Sequence, residues 1–292
     1  MAKVLNNIKD AKDLMNLSLF TGALLIQNGA ESYRAEDTIE RICKSVSNIS
    51  NVSAYALPSA IFISMEFEGE TLSNFRKITI SDTNLYKIDC VNSFSREFVS
   101  RDLSIKEGYE RLFEIDAAEE NPKKIYFSGG IASSFFTLLF GGNLKDFLAS
   151  FLIGILIPII LEKLSYFKLS FFINNILCAF ITSVLAIICV QFGFGSNIDN
   201  IIIGVIMLLV PGVAITNSVR DIMSGEFITG AITMIKAFFI ALAIAFGVGV
   251  GLKIMRFIIW RHSHNFSYQP LLPMALLFIL SFQKKLGLLH QP

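Results

Sequence analysis

Hydrophobic and polar positions follow two regimes along the chain. In the first, short apolar runs alternate with charged residues. Leu14, Leu17, Leu24 and Leu25, with Met15 and Phe20, fall at helical spacing over residues 11–28 and predict an amphipathic helix, for which Gly29 supplies the stop. Ser32 is placed to cap a second helix to about residue 46, which carries Arg34, Glu36, Asp37, Glu40 and Arg41. Glu36 and Glu40 stand one turn apart, as do Asp37 and Arg41, a pattern that usually decorates a solvated face. Residues 52–81 then switch to β-branched and aromatic runs. Glu68-Gly69-Glu70 reads as a hairpin turn and 76–80 as a further strand, with Pro58 expected at an edge or bulge because it has no N–H. Helical spacing returns over 86–99 and 104–119, the latter opening on Ser104 and Glu107 in capping-box register and ending at Asn121-Pro122.

In the second regime the apolar runs lengthen. Runs 125–140 and 147–161 are short against the ~20 residues of a perpendicular membrane span, and predict a tight pair of spans or a re-entrant hairpin. Gly129, Gly130, Ser133, Ser134 and Thr137 in the first, and Pro158 near the end of the second, suit close packing or cavity lining equally. Run 171–190 predicts a third span and 227–254 a fifth, thinned by Gly247, Gly249 and Gly251. Lys236 lies about two turns inside that last run, where a charge costs roughly 2.5–3.5 kcal/mol unless it snorkels or finds a partner. Between them, 201–225 is broken at Pro211-Gly212 and then gives way to Asn217, Arg220 and Asp221. Proline removes a donor and glycine permits close approach, so the break reads as a candidate transport site, or else as a kinked span whose end reaches the headgroups.

Composition agrees with that division: 53% of residues are hydrophobic and 17% charged, more apolar than a soluble protein. Most acidic residues, 19 of 24, precede Pro122. The expected architecture is an α+β cytoplasmic domain (1–122), a helical polytopic membrane domain of about five transmembrane helices (123–256) and a C-terminal tail (257–292). A net charge of +1 offers nothing to nucleic acid. Cys43, Cys90, Cys178 and Cys189 lack CxxC spacing and read as free thiols in a reducing compartment. The first fourteen residues lack the features of a secretory signal, so the front domain is expected in the cytoplasm. Its lack of histidine (His262, His264 and His290 all lie in the tail) excludes a Ser-His-Asp or Cys-His device there, and no phosphate loop or metal-ligand cluster appears. Lys123, Lys124, Lys163, Lys168 and Arg220 fall on one side if segments alternate, with Lys145 opposite, which makes that side cytoplasmic. Lys253, Arg256 and Arg261 break the rule, and the stretch 271–282 is too short for a comfortable sixth span, so the side of the tail stays open.

Two segments resemble the threonine/serine exporter family. QNGAESYRAEDTIERI (27–42) is similar to its N-terminal signature, with Gly29, Arg34 and Glu36 at the marked positions, and PGVAITNSVRDIMSGEFITG (211–230) to its membrane motif, with Pro211, Gly212, Asn217, Arg220, Asp221, Gly225 and Gly230. The likeness runs over about 14–252, and the chain's size matches the split, YjjP-like half of the family; the tail beyond Arg256 falls outside the pattern. The resemblance implies an inner-membrane, multi-pass subunit of a secondary exporter, with no cofactor or metal and no enzymatic role. It implies serine, threonine or a dicarboxylate such as succinate as substrate, and a small YjjB-like membrane subunit as partner. On that reading Arg220 attracts a substrate carboxylate, Asp221 orients Arg220 or carries a proton, and Asn217 bonds substrate or backbone. Pro211, Gly212 and Lys236 line the pathway, while Arg34 and Glu36 have a structural or gating role at its mouth. The rival from another class is a membrane-anchored enzyme or sensor whose α+β domain does the work; a channel is a third option.

Overall fold

Helix α1 (Ile8–Gln27) is the axis of the N-terminal part. Asn7 caps it, its side chain accepting from the Asp10 N–H at 2.8 Å, and Asp10 adds negative charge to the first turn. It ends at Gly29, whose φ of +86° and close approach to Thr83 both exclude a side chain. The expected amphipathic helix is in fact buried all round from Leu17 to Ile26, because other elements pack on every side of it. Its interior hydroxyls therefore bond their own backbone, Ser18 to Met15 O at 2.8 Å and Thr21 to Leu17 O at 2.9 Å.

Helix α2 (Ser32–Lys44) buries Ala35, Ile39, Ile42 and Cys43 against α1, with Ile39 seated on Gly22. Asp37–Arg41 and Glu40–Lys44 form i,i+4 ion pairs on its outer side. Glu36 and Glu40 are more than surface decoration. Their carboxylates accept from the N–H groups of Ala56 (2.7 Å) and Ala54 (3.4 Å) on strand β1 (Ile49–Leu57). Four helical residues rise about 6 Å and two strand residues about 6.6 Å, so a pair at i,i+4 matches alternate edge amides. Helix α2 thereby satisfies the free edge of the sheet.

The sheet is an antiparallel meander in the order β1, β2 (Ala60–Phe67), β3 (Glu70–Lys77). Ile61, Ile63, Met65 and Phe67 of β2 alternate inward to the core. The second turn is formed by Glu68 and Gly69, at φ 51° and 84°, as the sequence predicts, but β3 starts directly after it at Glu70 instead of at Arg76. Pro58 lies in the first turn, not at an edge or bulge; the bulge falls between Ser50 and Ser53, with Asn51 at φ 49°. Helices α3 (Leu85–Ser100) and α4 (Ile105–Ala117) close the core with Phe94, Phe98 and Leu112, and α4 opens on the expected Ser104/Glu107 capping box.

This is a computed structural model, and it describes residues 4–79, 83–101, 103–118, 121–167 and 169–263. Ile80, Lys168 and the stretch 264–292, including His264, His290 and the apolar tail, lie outside the described residues. The chain divides into two units after Gly251; the described residues of the second, 252–263, are helical.

Asn121-Pro122 starts a helix as well as following one: Asn121 caps α5 (Pro122–Leu139) and Pro122 takes its first turn. Helix α6 (Leu144–Tyr166) has 23 residues, so the second apolar run is not a short one. It carries through Pro158 and the polar Glu162-Lys163 to Tyr166, about 34 Å at helical rise. With α7 (Phe171–Gln191) and 227–257 of α10 (Phe227–Ser263), it gives three helices, among the described residues, long and apolar enough to cross a membrane. The small residues of α5 are packing positions. Ser133 donates to Ser150 O at 2.8 Å, Thr137 to Ser150 Oγ at 2.6 Å, Gly154 of α6 seats Ser133, and Gly204 of α8 (Ile198–Ile206) seats Thr137. Gly247 and Gly251 of α10 admit α7 at Ile176 and Ser183. The α5–α6 turn is held by Asn143 and Asp146 in a capping box. Asp146, 1% exposed, also accepts from the N–H groups of Ser196 (2.6 Å) and Asn197 (2.9 Å) and so fixes the start of α8.

Candidate functional site

The break expected at Pro211-Gly212 is present. Helix α8 ends at Ile206, a turn follows, and Pro211 becomes the N-cap of α9 (Gly212–Met223), with no side chain to cap it. The Gly212 position corrects one expectation: a Cβ there would meet open space, so this glycine is not required by close packing. Gly225 and Gly230 are the glycines with a steric reason. The first takes φ +98° at the end of α9, and the second lets α10 fold back onto Ser218 O and Ile222.

The polar residues after the break are joined to the N-terminal signature. Asn217 Nδ2 donates to Gly29 O at 2.8 Å, and Asp221 Oδ1 accepts from the Ser32 N–H at 3.1 Å. Arg220 Nη1 bonds Glu31 Oε1, and Arg34 Nη1 bonds the other oxygen of that carboxylate at 3.2 Å. At the third residue of α10, Thr229 donates to Ala56 O at 3.1 Å, on the same residue whose N–H Glu36 accepts. Asp221 is 3% exposed and Glu31 4%. Two segments 189 residues apart thus form one buried polar junction.

Ser32 does not cap α2. The residue at the cap is Glu31, without a side-chain bond to the helix, and Asp221 reaches from α9 to take the first amide. Ser32 is already the first helical residue, one place past the cap, so its own N–H is an open donor, and the Asp221 carboxylate that takes it also complements the positive helix end. Electrostatics divide the two motif acids. For Glu31, burial raises the carboxyl pKa, but the hydrogen bonds from its own backbone N–H and Arg220, with the charges of Arg34 and Arg220, outweigh it and hold it below 4.5. For Glu36, burial foremost, with the charges of Glu226, Glu40 and Asp221 added and only the Ala56 N–H opposing, pushes it up to about 7.

Of the expected site residues, the structure brings together Asn217, Arg220, Asp221, Arg34 and Glu36, with Pro211 and Gly212 at the preceding break. Lys236 takes a different neighbour: its Nζ sits 5.4 Å over the ring of Phe171 on α7. Glu31 was missed in the sequence although it stands three residues before Arg34 within the signature; its i,i+3 relation to that arginine was the available signal. No metal-binding group of His, Cys, Asp or Glu occurs among the described residues.

The chain is similar to an uncharacterized protein of Schizosaccharomyces pombe, 26% identical over 235 residues, covering 76% of this chain and 28% of that protein. It therefore spans under a third of the length of the curated relative it matches. No solved structure matches it. The sequence model of the family described as "Putative threonine/serine exporter" matches residues 16–255, which takes in the α+β part, the broken helix and most of α10. This chain, a membrane protein, belongs to that threonine/serine exporter family.

Proposed function

We propose that the chain is one subunit of a secondary exporter of small polar metabolites, and not an enzyme. The observation that supports this most directly is the convergence of both family motifs on one polar junction beside a broken helix, with Arg220, Asp221 and Asn217 tied to Glu31, Ser32 and Gly29. An interrupted helix ending in an amide and a charged pair is a device for meeting a solute within a membrane protein. In this reading α5 and the α8–α9 pair enter the membrane beside α6, α7 and α10, making five segments. The α+β part, Lys123, Lys124, Lys163 and Arg220 face the cytoplasm. Arg220 receives a substrate carboxylate, Asn217 bonds the substrate, and Asp221 orients the arginine or carries a proton, while Arg34 and Glu36 gate the cytoplasmic mouth. The substrate is serine, threonine or a dicarboxylate such as succinate, driven by the proton-motive force. A YjjB-like subunit supplies the second set of spans, since an odd number of spans suits an inverted partner. The anchored-enzyme reading has no comparable observation behind it.

The test is uptake of labelled serine, threonine and succinate into inverted membrane vesicles, with this chain alone and with a YjjB-like partner, each with and without a proton gradient. Gradient-dependent uptake that needs the partner is the expected result. Failure of all three substrates, with both chains verified in the membrane, overturns the reading.

A further inference from the structure

The α9 groups assigned to the substrate are already occupied, and by groups of a particular kind. Arg220 holds the carboxylate of Glu31, Asp221 holds the N–H of the next residue, Ser32, and the Asn217 amide holds the carbonyl of Gly29. A carboxylate beside an N–H donor is also what a free α-amino acid presents. Arg34 and Arg220 share the Glu31 carboxylate, and among the described residues neither makes a second ion pair. Their side chains are 44% and 52% exposed, that of Glu31 only 5%, so spare guanidinium donors reach solvent around a carboxylate that does not.

We propose that segment 29–32 is a tethered occupant of the α9 site, and that Glu31 is a gating residue which a substrate carboxylate displaces from Arg220. The proposal rests on the exporter reading and adds to it a residue and an order of events. Displacement exchanges carboxylate for carboxylate on Arg220 and N–H for ammonium on Asp221. Arg220 and the buried Asp221 each keep a partner through the exchange, and the displaced Glu31 keeps Arg34, so the cost of an unmade hydrogen bond at these side chains is avoided. A dicarboxylate makes only the first exchange, and its second carboxylate meets Asp221 as a like charge. Apparent affinity falls with the fraction of molecules whose site is open, so loosening the tether tightens substrate binding.

The experiment uses the purified full chain in detergent, with L-serine, L-threonine and succinate as probes. It reads binding by calorimetry and deuterium exchange in the peptide spanning 29–35. The expected result is that serine or threonine binds and raises exchange in that peptide, that Glu31→Gln binds about tenfold tighter, and that succinate has a weaker effect. Binding without added exchange, or no tighter in Glu31→Gln, overturns the tether and leaves the exporter reading standing. Absence of binding to both proteins also overturns it, because freeing Arg220 must open the site; vesicle uptake then shows whether the exporter reading falls too. A merely structural Glu31 gives lower thermal stability with unchanged affinity. Should Glu31→Gln fail to fold, the wild-type exchange measurement decides alone.

Discussion

The backbone N–H of Ser32 donates to the carboxylate of Asp221 at 3.1 Å across 189 residues of sequence. Ser32 is the first residue of α2 and receives no cap from the residue before it, so the acid complementing this helix end belongs to α9. Order in the first turn of α2 and the position of α9 are thereby one equilibrium. A cap is worth about 1 kcal/mol, and Asp221→Ala is expected to raise amide exchange over 32–35 about fivefold. Asp221→Asn, which keeps an acceptor, gives a smaller rise. Unchanged protection in the alanine variant would show that the contact does not hold the helix.

Protonation sets this junction in two opposite directions. Glu36 titrates near 7 in the folded chain against 4.5 ordinarily, so the folded state binds more protons between those values. Its contribution to stability is full below about 4.5 and is lost as pH rises through about 7. Glu31, held below 4.5, contributes above that value and loses its share as pH falls. The thermal midpoint of the purified wild type should therefore decline between about pH 5 and about pH 8 more steeply than that of Glu36→Gln, whose amide oxygen still accepts from Ala56. Parallel curves would remove Glu36 from the account.

Asp146, in the first turn of α6, offers a sharper stability test. It is 1% exposed and accepts from the N–H groups of Asn143, Ser196 and Asn197. Asp146→Ala strands those donors at about 1–3 kcal/mol each where water does not replace the carboxylate. The expected outcome is a fall of several degrees in thermal midpoint, with Asp146→Asn intermediate. A variant as stable as wild type would mean the α7–α8 connection is held by other contacts.

The sequence announced what depended on local pattern. Gly29, the Glu68-Gly69 turn, the Ser104/Glu107 capping box and the Pro211 break each follow from backbone chemistry within a few residues, and each is found. What it hid depended on partners far along the chain. Glu36 and Glu40 looked like solvated charges because the edge amides they satisfy lie on a strand not yet placed. Ser32 looked like a cap, but the helix starts one residue earlier than that reading, and the acceptor for its N–H lies on α9. Glu31 has no signature of its own, and only the docking of α9 makes its carboxylate the shared partner of two arginines. Helix α6 was read short because Glu162-Lys163 ends the apolar run without ending the helix.

The seam between α5, α6 and α8 predicts steric rather than polar sensitivity. A Cβ at Gly204 would run into Thr137 Oγ1 and Ser133 O, and one at Gly154 into Ser133 Oγ and Gly129 O. Gly204→Ala should cost about 1–3 kcal/mol by overpacking. Adding Thr137→Ala removes the nearest obstruction, the hydroxyl, and leaves Ser133 O and the Thr137 Cβ, so it should restore part of the loss, read as thermal stability in detergent. No recovery in the double variant would place the strain elsewhere.

Arg220→Ala sets two consequences of the proposed site against each other. It removes the partner of Glu31, which loosens the junction, and it removes the donor meant for the substrate. Opening a gate gains nothing when the group behind it is gone, so export should fall by about ten- to a hundredfold, the equivalent of one charged hydrogen bond, with membrane insertion unchanged. Arg220→Lys keeps the charge without the forked donors and should recover only part of the rate. The Arg34→Ala, Glu36→Ala pair should also impair export, by disturbing the mouth and not the anchor: its signature is altered pH dependence with the substrate ranking kept. Normal export by Arg220→Ala would remove α9 from the pathway and leave the junction a structural joint.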